Sequence, residues 1–461
     1  MCRYGNTLNN AIIKARMYDV VYLGGGPGGY VGAVTSASLG KKVAVVERKK
    51  IGGTCVNVGC IPADAALYNV SLSHYSGNGG FASPIKVDFA LNIKRAKEIS
   101  EKTAELAQSV LDSLGVDVIS GNGSVKSGGV KVNGQELEAS SVVIATGARH
   151  DLAPLKGVDP SRILTVDKFW ELEDVPQSVV VYQGGAPSIR GLEIGQLLAS
   201  SGAEVIVVDE NDSLFPQFDQ ELTGALRQAL ESNGLKFDMG AKVKGLSENS
   251  ISYEVESAEK RIEFDAIVPS HAWLPNTEGL GLDDLGVKTK NGFVIVDDHC
   301  RTNLPWLYAI GEAASYKGAT RAMYMGKAAA LNAAGIDFPV NHQLLPSGLY
   351  TVPQFAEVGL TEKAAVASGI DYVVGTSNLG YNEKAMALGA TEGMVKLIFD
   401  KKGKILGGGL VGYDAEELIS HLALAIKLGA TARDLAYSGY EHATVSEAIA
   451  DASSRALLSL S

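Results

Sequence analysis

Gly24-Gly25-Gly26-Pro27-Gly28-Gly29 stands between an apolar strand and a helix, and no other stretch limits the possible folds as strongly. Tyr18 to Gly40 reads as strand, glycine turn and helix, and Lys42 to Glu47 as the next strand. Such a βαβ unit opens an α/β domain with a parallel sheet. In the G-x-G-x-x-G spacing, Gly24 allows the tight turn, Gly26 lets a pyrophosphate approach the backbone, and Gly29 lets helix and strand pack closely. The helix N-terminus favours phosphate charge. Glu47 ends the second strand, where it can hydrogen-bond a ribose hydroxyl. A glycine turn without a ligand is the bland alternative, and strand, helix and acid together argue against it.

The pattern returns in mid-chain. Ser178 to Tyr182, Arg190 to Ser200 and Glu204 to Asp209 read as a second strand–helix–strand unit. Between the units lie an amphipathic helix over about 87–114 and a strand from Val142 into a tight turn at Gly147. Phe293–Val296 and Leu307–Gly311 return to short strands. Beyond Ser347, strands near 393–399 and 405–411 precede helices starting near Asp414 and Val445. This last region has no glycine-rich nucleotide turn and reads as an α+β packing or dimerisation domain. The expected division is an extension over 1–16, a dinucleotide domain over 17–148, a second nucleotide domain over 149–270, a central segment over 271–340 and an interface domain over 341–461.

Hydrophobic residues make up 46% and charged residues 20%, an ordinary globular balance. No uncharged apolar run has the length of a membrane span. The net charge of -11, mixed along the chain, disfavours non-specific nucleic-acid binding. The first sixteen residues carry three bases and no acid, and Ala11-Ile12-Ile13 is too short for a signal-peptide core. An extension or an alternative start at Met17 is expected, with a transit peptide as the second reading.

Four cysteines are present: Cys2, Cys55, Cys60 and Cys300. A secreted disulfide scaffold uses more of them in a shorter chain, so a cytoplasmic location is expected. Cys55 and Cys60 lie in Ile51-Gly52-Gly53-Thr54-Cys55-Val56-Asn57-Val58-Gly59-Cys60-Ile61-Pro62. They can bridge only with Cα atoms within roughly 7 Å. A regular helix rises about 7.5 Å over that spacing, so the segment must be distorted, and Gly59 makes this easier. A pair of structural thiols is the alternative.

This run resembles the redox-active segment of the class I pyridine nucleotide–disulfide oxidoreductases, closest to their dihydrolipoamide dehydrogenase branch. The resemblance covers nearly the whole chain from Met17. Ala145-Thr146-Gly147 resembles the second flavin segment, and Leu274 to Leu282 the linker after the nicotinamide domain. Arg301-Thr302 through Tyr308-Ala309-Ile310-Gly311-Glu312 resembles the segment holding the flavin ribityl chain. Glu441-His442-Ala443-Thr444-Val445-Ser446-Glu447 resembles the C-terminal His–Glu motif.

The resemblance implies an α/β fold with two Rossmann-like domains, for FAD and NAD, and a C-terminal α+β dimerisation domain. Cys55 would be the interchange thiol and Cys60 the thiolate lying against the flavin. His442 would be the general base, oriented by Glu447 and serving the other subunit of a homodimer. Imidazole suits proton exchange with thiols. The implied FAD contacts are Gly24, Gly26, Gly29, Glu47, Gly53, Thr54, Gly123, Ala145, Thr146, Gly147, Gly311, Glu312 and Ala319. The implied NAD contacts are Gly191, Glu193 and Asp209, and no metal is expected. Thr444-Val445-Ser446-Glu447 also fits a capping box, which gives Glu447 a structural reading beside the catalytic one.

The chain departs from the family at four places. Ala63-Asp64 replaces a Ser-Lys pair whose lysine normally meets a glutamate matched here by Glu193. Asp64 opposite Glu193 would set two carboxylates together and favour a shared proton. Arg190 is close enough in sequence to Glu193 to compensate, and the alternative is that both acids face solvent. In the second nucleotide turn, Ala186 and Ser188 replace the first two glycines, with Gly184-Gly185 two residues early, and Ala272-Trp273 replaces Gly-Arg. Asp209-Glu210 still favours NAD over NADP. Glu312 and Thr320 replace an aspartate and a histidine near the flavin. Ala443 replaces the proline after His442, where a cis bond would cost about 2.5–4 kcal/mol without proline.

The expected function is oxidation of a dithiol, such as protein-bound dihydrolipoamide of a 2-oxoacid dehydrogenase or related complex, through the Cys55–Cys60 disulfide and flavin to NAD. Two alternatives stay open. One keeps the dithiol and flavin chemistry with a different acceptor, and the other is a flavoprotein binding component of an acyltransferase complex.

Overall fold

A computed structural model describes residues 17–78, 81–271 and 273–460. The expected N-terminal extension, Cys2 and Ala272 fall outside the described residues. The first unit comprises β1 (Met17–Leu23), α1 (Pro27–Ser38) and β2 (Val43–Glu47). Val20, Val21, Tyr22 and Leu23 are all buried, as in a parallel strand covered on both faces. Pro27 starts α1, where its missing N–H costs nothing.

The cysteine segment forms two helices, α2 (Gly53–Val58) and α3 (Cys60–Ser76). They break at Gly59, whose φ of -120° and ψ of -112° lie outside the helical region. The distortion expected between the cysteines is therefore one residue wide. Next comes α4 (Phe89–Ser113), capped by Asp88, which accepts from the Leu91 N–H at 2.9 Å.

β3 (Asp117–Ser120), β4 (Gly123–Lys126), β5 (Gly129–Val132) and β6 (Gln135–Ile144) complete a sheet in the order β3-β2-β1-β6-β5-β4. Leu307–Ala309 returns from far along the chain to pair in parallel with the end of β6. Helix Ala319–Ala333 packs so closely on α1 that a Cβ on Gly326 would fall 2.2 Å from the Gly28 carbonyl. This is how the central segment completes the first nucleotide site.

A second parallel sheet orders Lys236–Asp238, Glu204–Val208, Ser178–Tyr182 and Ala266–Pro269. An antiparallel meander over 242–263 follows, which the sequence reading did not anticipate. The C-terminal region is a five-stranded sheet of Ser347–Leu349, Gln354–Gly359, Ile405–Gly412, Met394–Asp400 and Tyr372–Asn378. Helices Ala415–Leu428 and Glu447–Leu460 accompany it, so the α/β plan with an α+β end holds.

One core cluster decides the geometry of the site. Ala63, Ala66 and Leu67 of α3 pack with Leu192 and Leu197 of helix Ile189–Ser200. The helix carrying Cys60 and the first helix of the second nucleotide unit are thereby fixed against each other. No helix among the described residues is long and apolar enough to cross a membrane.

Candidate active site

A cavity of about 1780 Å³ runs along the glycine turn, the cysteine segment and the C-terminal sheet. Gly24, Gly26, Glu47, Gly53, Thr54, Gly123, Ala145, Thr146, Gly147, Gly311, Glu312 and Ala319 all line it. Gly29 sits behind this wall, where a Cβ would fall 1.9 Å from the Gly24 carbonyl, so its role is the helix–strand approach. Above Gly26 the space is open, with the nearest contact of a Cβ at 3.9 Å. Glu47 anchors the turn by accepting from the Gly25 N–H at 2.7 Å. The Thr146 hydroxyl is buried with no partner. An open glycine cradle and an orphaned hydroxyl in one long cavity fit FAD.

Both thiols of the Cys55–Cys60 pair are free, so the structure shows the dithiol arrangement. Cys55 is partly exposed and Cys60 is buried. The Cys55 thiol hydrogen-bonds Cys60, and this contact, with Arg190 adding to it against the cost of burial, holds the Cys60 thiol below its usual range. The same contact, with burial, pushes Cys55 up. The arrangement favours negative charge on the buried sulfur over the accessible one.

Arg190 supplies the neighbouring positive charge. Its Nη2 donates to Cys60 Sγ at 2.7 Å, and its Nη1 meets Glu193 Oε2 at 2.9 Å. Glu193 is fully buried and also accepts from the Tyr350 N–H at 3.2 Å. Asp64 makes no pair with Glu193; it is exposed along the cavity. Of the alternatives open in the sequence, compensation by Arg190 is the one observed. Asp64 is held above its usual range by desolvation and then by Glu417. Glu416, partly buried nearby, is pushed up to about 9 by burial and then by Glu193, Asp64 and Cys60.

The second nucleotide turn is built differently from a standard one. Gly184 and Gly185 take positive φ of 54° and 73°. The turn is tied down at Ser188, whose N–H donates to the Ser270 carbonyl at 2.6 Å. Gly191 packs on Ser270, so it serves a close approach rather than the cavity. Asp209 is fully buried, and its carboxylate accepts from the Gly185 N–H at 3.0 Å and from Asn211. Glu210 is the exposed acid at this strand end. Beneath the turn, both amide atoms of Gln183 and Nδ1 of His271 are buried without partners. These unpaired groups fit a polar guest such as a dinucleotide. Ile189 and Arg190 line the main cavity with Trp273, so the helix start faces the flavin side.

His442 is not among the residues lining the cavity that holds the cysteines. Its side chain is 80% exposed, and Nδ1 meets Glu447 Oε1 at 3.2 Å. The Glu447 hydrogen bond holds the imidazole above its usual pKa. Glu447 also accepts from the Thr444 N–H at 3.0 Å, one half of the expected capping box. The other half is missing, because the Glu447 N–H goes to the Thr444 carbonyl rather than to its hydroxyl. The one cis peptide bond among the described residues is Val352–Pro353, so His442–Ala443 is trans. The sequence reading missed Glu416 and Tyr350, which carry no local motif, and Arg190 as a partner of Cys60.

Residues 18–326 match the family model for pyridine nucleotide-disulphide oxidoreductases, and residues 345–453 match the dimerisation domain of the same family. The dihydrolipoyl dehydrogenase of Chlorobaculum parvum is 35% identical over 97% of this chain and 98% of its own. That of Thermus scotoductus is 36% identical over 95% and 97%. Among solved structures, LpdA from Mycobacterium tuberculosis superposes with a TM-score of 0.86 at 25% identity, covering 96% of this chain and 99% of its own. The HOCl-induced flavoprotein disulfide reductase RclA of Escherichia coli shares the fold, with a TM-score of 0.82 at 24% identity over 95% of this chain and 99% of its own. With its glycine cradle, its cysteine pair and a family match across most of its length, the chain belongs to the pyridine nucleotide-disulphide oxidoreductases.

Proposed function

We propose that the protein is an FAD-dependent dihydrolipoyl dehydrogenase-type enzyme that oxidises a dithiol through Cys55 and Cys60 and delivers the electrons to NAD. The observation that carries this reading is the cysteine pair on the wall of an FAD-sized cavity, a partly exposed Cys55 beside a buried Cys60 that accepts from Arg190 at 2.7 Å. When bound, FAD supplies the two-electron relay between the cysteine pair and the pyridine nucleotide.

The side chains account for the thiol steps. In the oxidised pair, a substrate thiolate attacks Cys55 Sγ, the Cys55–Cys60 bond breaks, and Cys60 leaves as a thiolate. The better-stabilised thiolate leaves faster, and Arg190 stands against that sulfur. The second substrate thiol then closes on the first substrate sulfur and releases Cys55, completing transfer of two electrons. His442, held by Glu447, takes the substrate proton.

His442 is exposed and away from the cavity of its own chain, which supports its service to a second copy in a homodimer. Exposed Tyr381, Leu424, Leu428, Tyr437 and Leu458 on the C-terminal region support the same assembly. The relatives' printed activity points to a lipoyl dithiol, and a 2-oxoacid dehydrogenase or related complex in the cytoplasm would carry it. The seven-, four- and five-stranded sheets support the first, second and last units of the domain division proposed from the sequence.

The test is NADH production from dihydrolipoamide and NAD by the holoenzyme, with Cys55→Ser and Cys60→Ser beside it. Turnover in the parent and background rates in both variants are expected. Equal turnover in the variants would remove the cysteine pair from the reaction.

A further inference from the structure

The family's usual cation near the cysteine pair, a lysine four residues after the second cysteine, is replaced here by Asp64. We propose that Arg190, delivered from the second nucleotide unit, is the counterion of the Cys60 thiolate and thus a further catalytic residue of the dithiol reaction. The inference rests on the proposed dithiol chemistry and adds to it the group that holds the charge.

Geometry carries the assignment. Arg190 Nη2 donates to Cys60 Sγ at 2.7 Å, a charge-assisted contact with the reacting atom itself. Nη1 is fixed on Glu193 one turn along the same helix at 2.9 Å, with the Glu193 side chain 1% exposed. The guanidinium fork therefore has its two donors on two different anions, which an ammonium on a flexible stem does not reproduce in the same way. The helix holding Arg190 is locked to the Cys60 helix through Leu192, Leu197, Ala63 and Leu67. Its position thus depends on packing rather than on a mobile surface side chain.

The remaining groups around Cys60 are acids or neutral donors. Cys55 donates to it, Glu193 acts on it through its charge, and Tyr350 and Glu416 respond to it in turn. Asp64 acts on both Glu193 and Glu416, and Glu312 feels the charge of Arg190. Among these groups, Arg190 is the cation. Removing it would leave a thiolate among carboxylates, so the thiol should hold its proton to higher pH.

The test uses the purified holoenzyme with Cys55→Ser, so that Cys60 is the reporting thiol, and Cys60→Ser as the blank. The thiolate is titrated by its ultraviolet absorbance, which needs no flavin signal. In this background Arg190→Met is combined with Glu193→Gln, so that no buried carboxylate is left unpaired. Measured against Glu193→Gln alone in the same background, the titration midpoint should rise by roughly one to three pH units, the range for losing an adjacent opposite charge. Arg190→Lys, which keeps the charge, should titrate closer to the parent. A midpoint in the doubly substituted protein equal to that of Glu193→Gln alone would overturn the assignment. The long-wavelength thiolate–flavin band is recorded on the same samples. Its absence from every variant would count against the flavin–dithiol reading, while the ultraviolet midpoint still decides the role of Arg190.

Discussion

Arg190 and Glu193 form an ion pair of 2.9 Å across one helical turn, and Glu193 is fully buried. Asp64, the residue that replaces the family's lysine, stands outside this pair. The charge lost from the cysteine helix is thus supplied by the neighbouring helix, and the buried glutamate keeps a partner.

Removing one member of a buried pair leaves the other charge uncompensated. Glu193→Gln should destabilise the holoenzyme by about 3 kcal/mol, the lower end for a broken buried pair because Cys60 still faces Arg190. Denaturant unfolding of variant and parent is the check. Coincident transitions would contradict the buried pairing.

Glu416 makes stability depend on pH. Its carboxyl is pushed up to about 9 by burial and by Glu193, Asp64 and Cys60. A carboxyl raised in the folded state favours folding fully only below its unfolded pKa, and its contribution falls as pH rises towards the folded value. Relative to Glu416→Gln, the parent should therefore lose stability between about pH 5 and about pH 9 and run parallel above that. Unfolding midpoints of both proteins across this range give the answer. A constant difference would contradict the assignment.

The exposed His442 predicts a shared active site. His442→Gln alone should slow dithiol oxidation by roughly 10²–10⁴-fold, the usual worth of a general base. Equal mixing and reassociation of His442→Gln with Cys55→Ser chains should recover about a quarter of parent activity, because half of the dimers then contain one intact site. Mixtures as inactive as either variant would place both groups in one chain.

At the second nucleotide turn, Glu210 faces solvent while the Asp209 carboxylate is engaged by Gly185 and Asn211. Repulsion of an extra phosphate should come from Glu210. Glu210→Gln should reduce the preference for NAD over NADP by about tenfold at low salt, and less at high salt, since exposed charges are screened. Steady-state KM values for the two nucleotides measure this. An unchanged ratio would return the discrimination to other groups.

Much of this was legible in the sequence because it is local. The strand–turn–helix units, the break at Gly59 and the strand Ser178–Tyr182 follow from glycine placement and apolar periodicity. The meander over 242–263 was missed because two of its three strands are largely exposed and lack a clean apolar alternation. The contact of Arg190 with Cys60 spans 130 residues and depends on two helices packing side by side. Its sequence trace was the coincidence of a missing lysine at Asp64 with an arginine one turn before Glu193. The inward turn of Asp209 was hidden for a similar reason. The early glycines bring the Gly185 N–H onto its carboxylate, and spacing counted from Gly191 does not show that.

The most direct test of the central claim is anaerobic addition of dihydrolipoamide to the oxidised holoenzyme while its absorbance is followed. Two-electron reduction should produce a long-wavelength band from the Cys60 thiolate against still-oxidised flavin, and NAD should then abolish the band as NADH forms. Bleaching of the flavin without that band, or no reaction with the dithiol, would contradict the account.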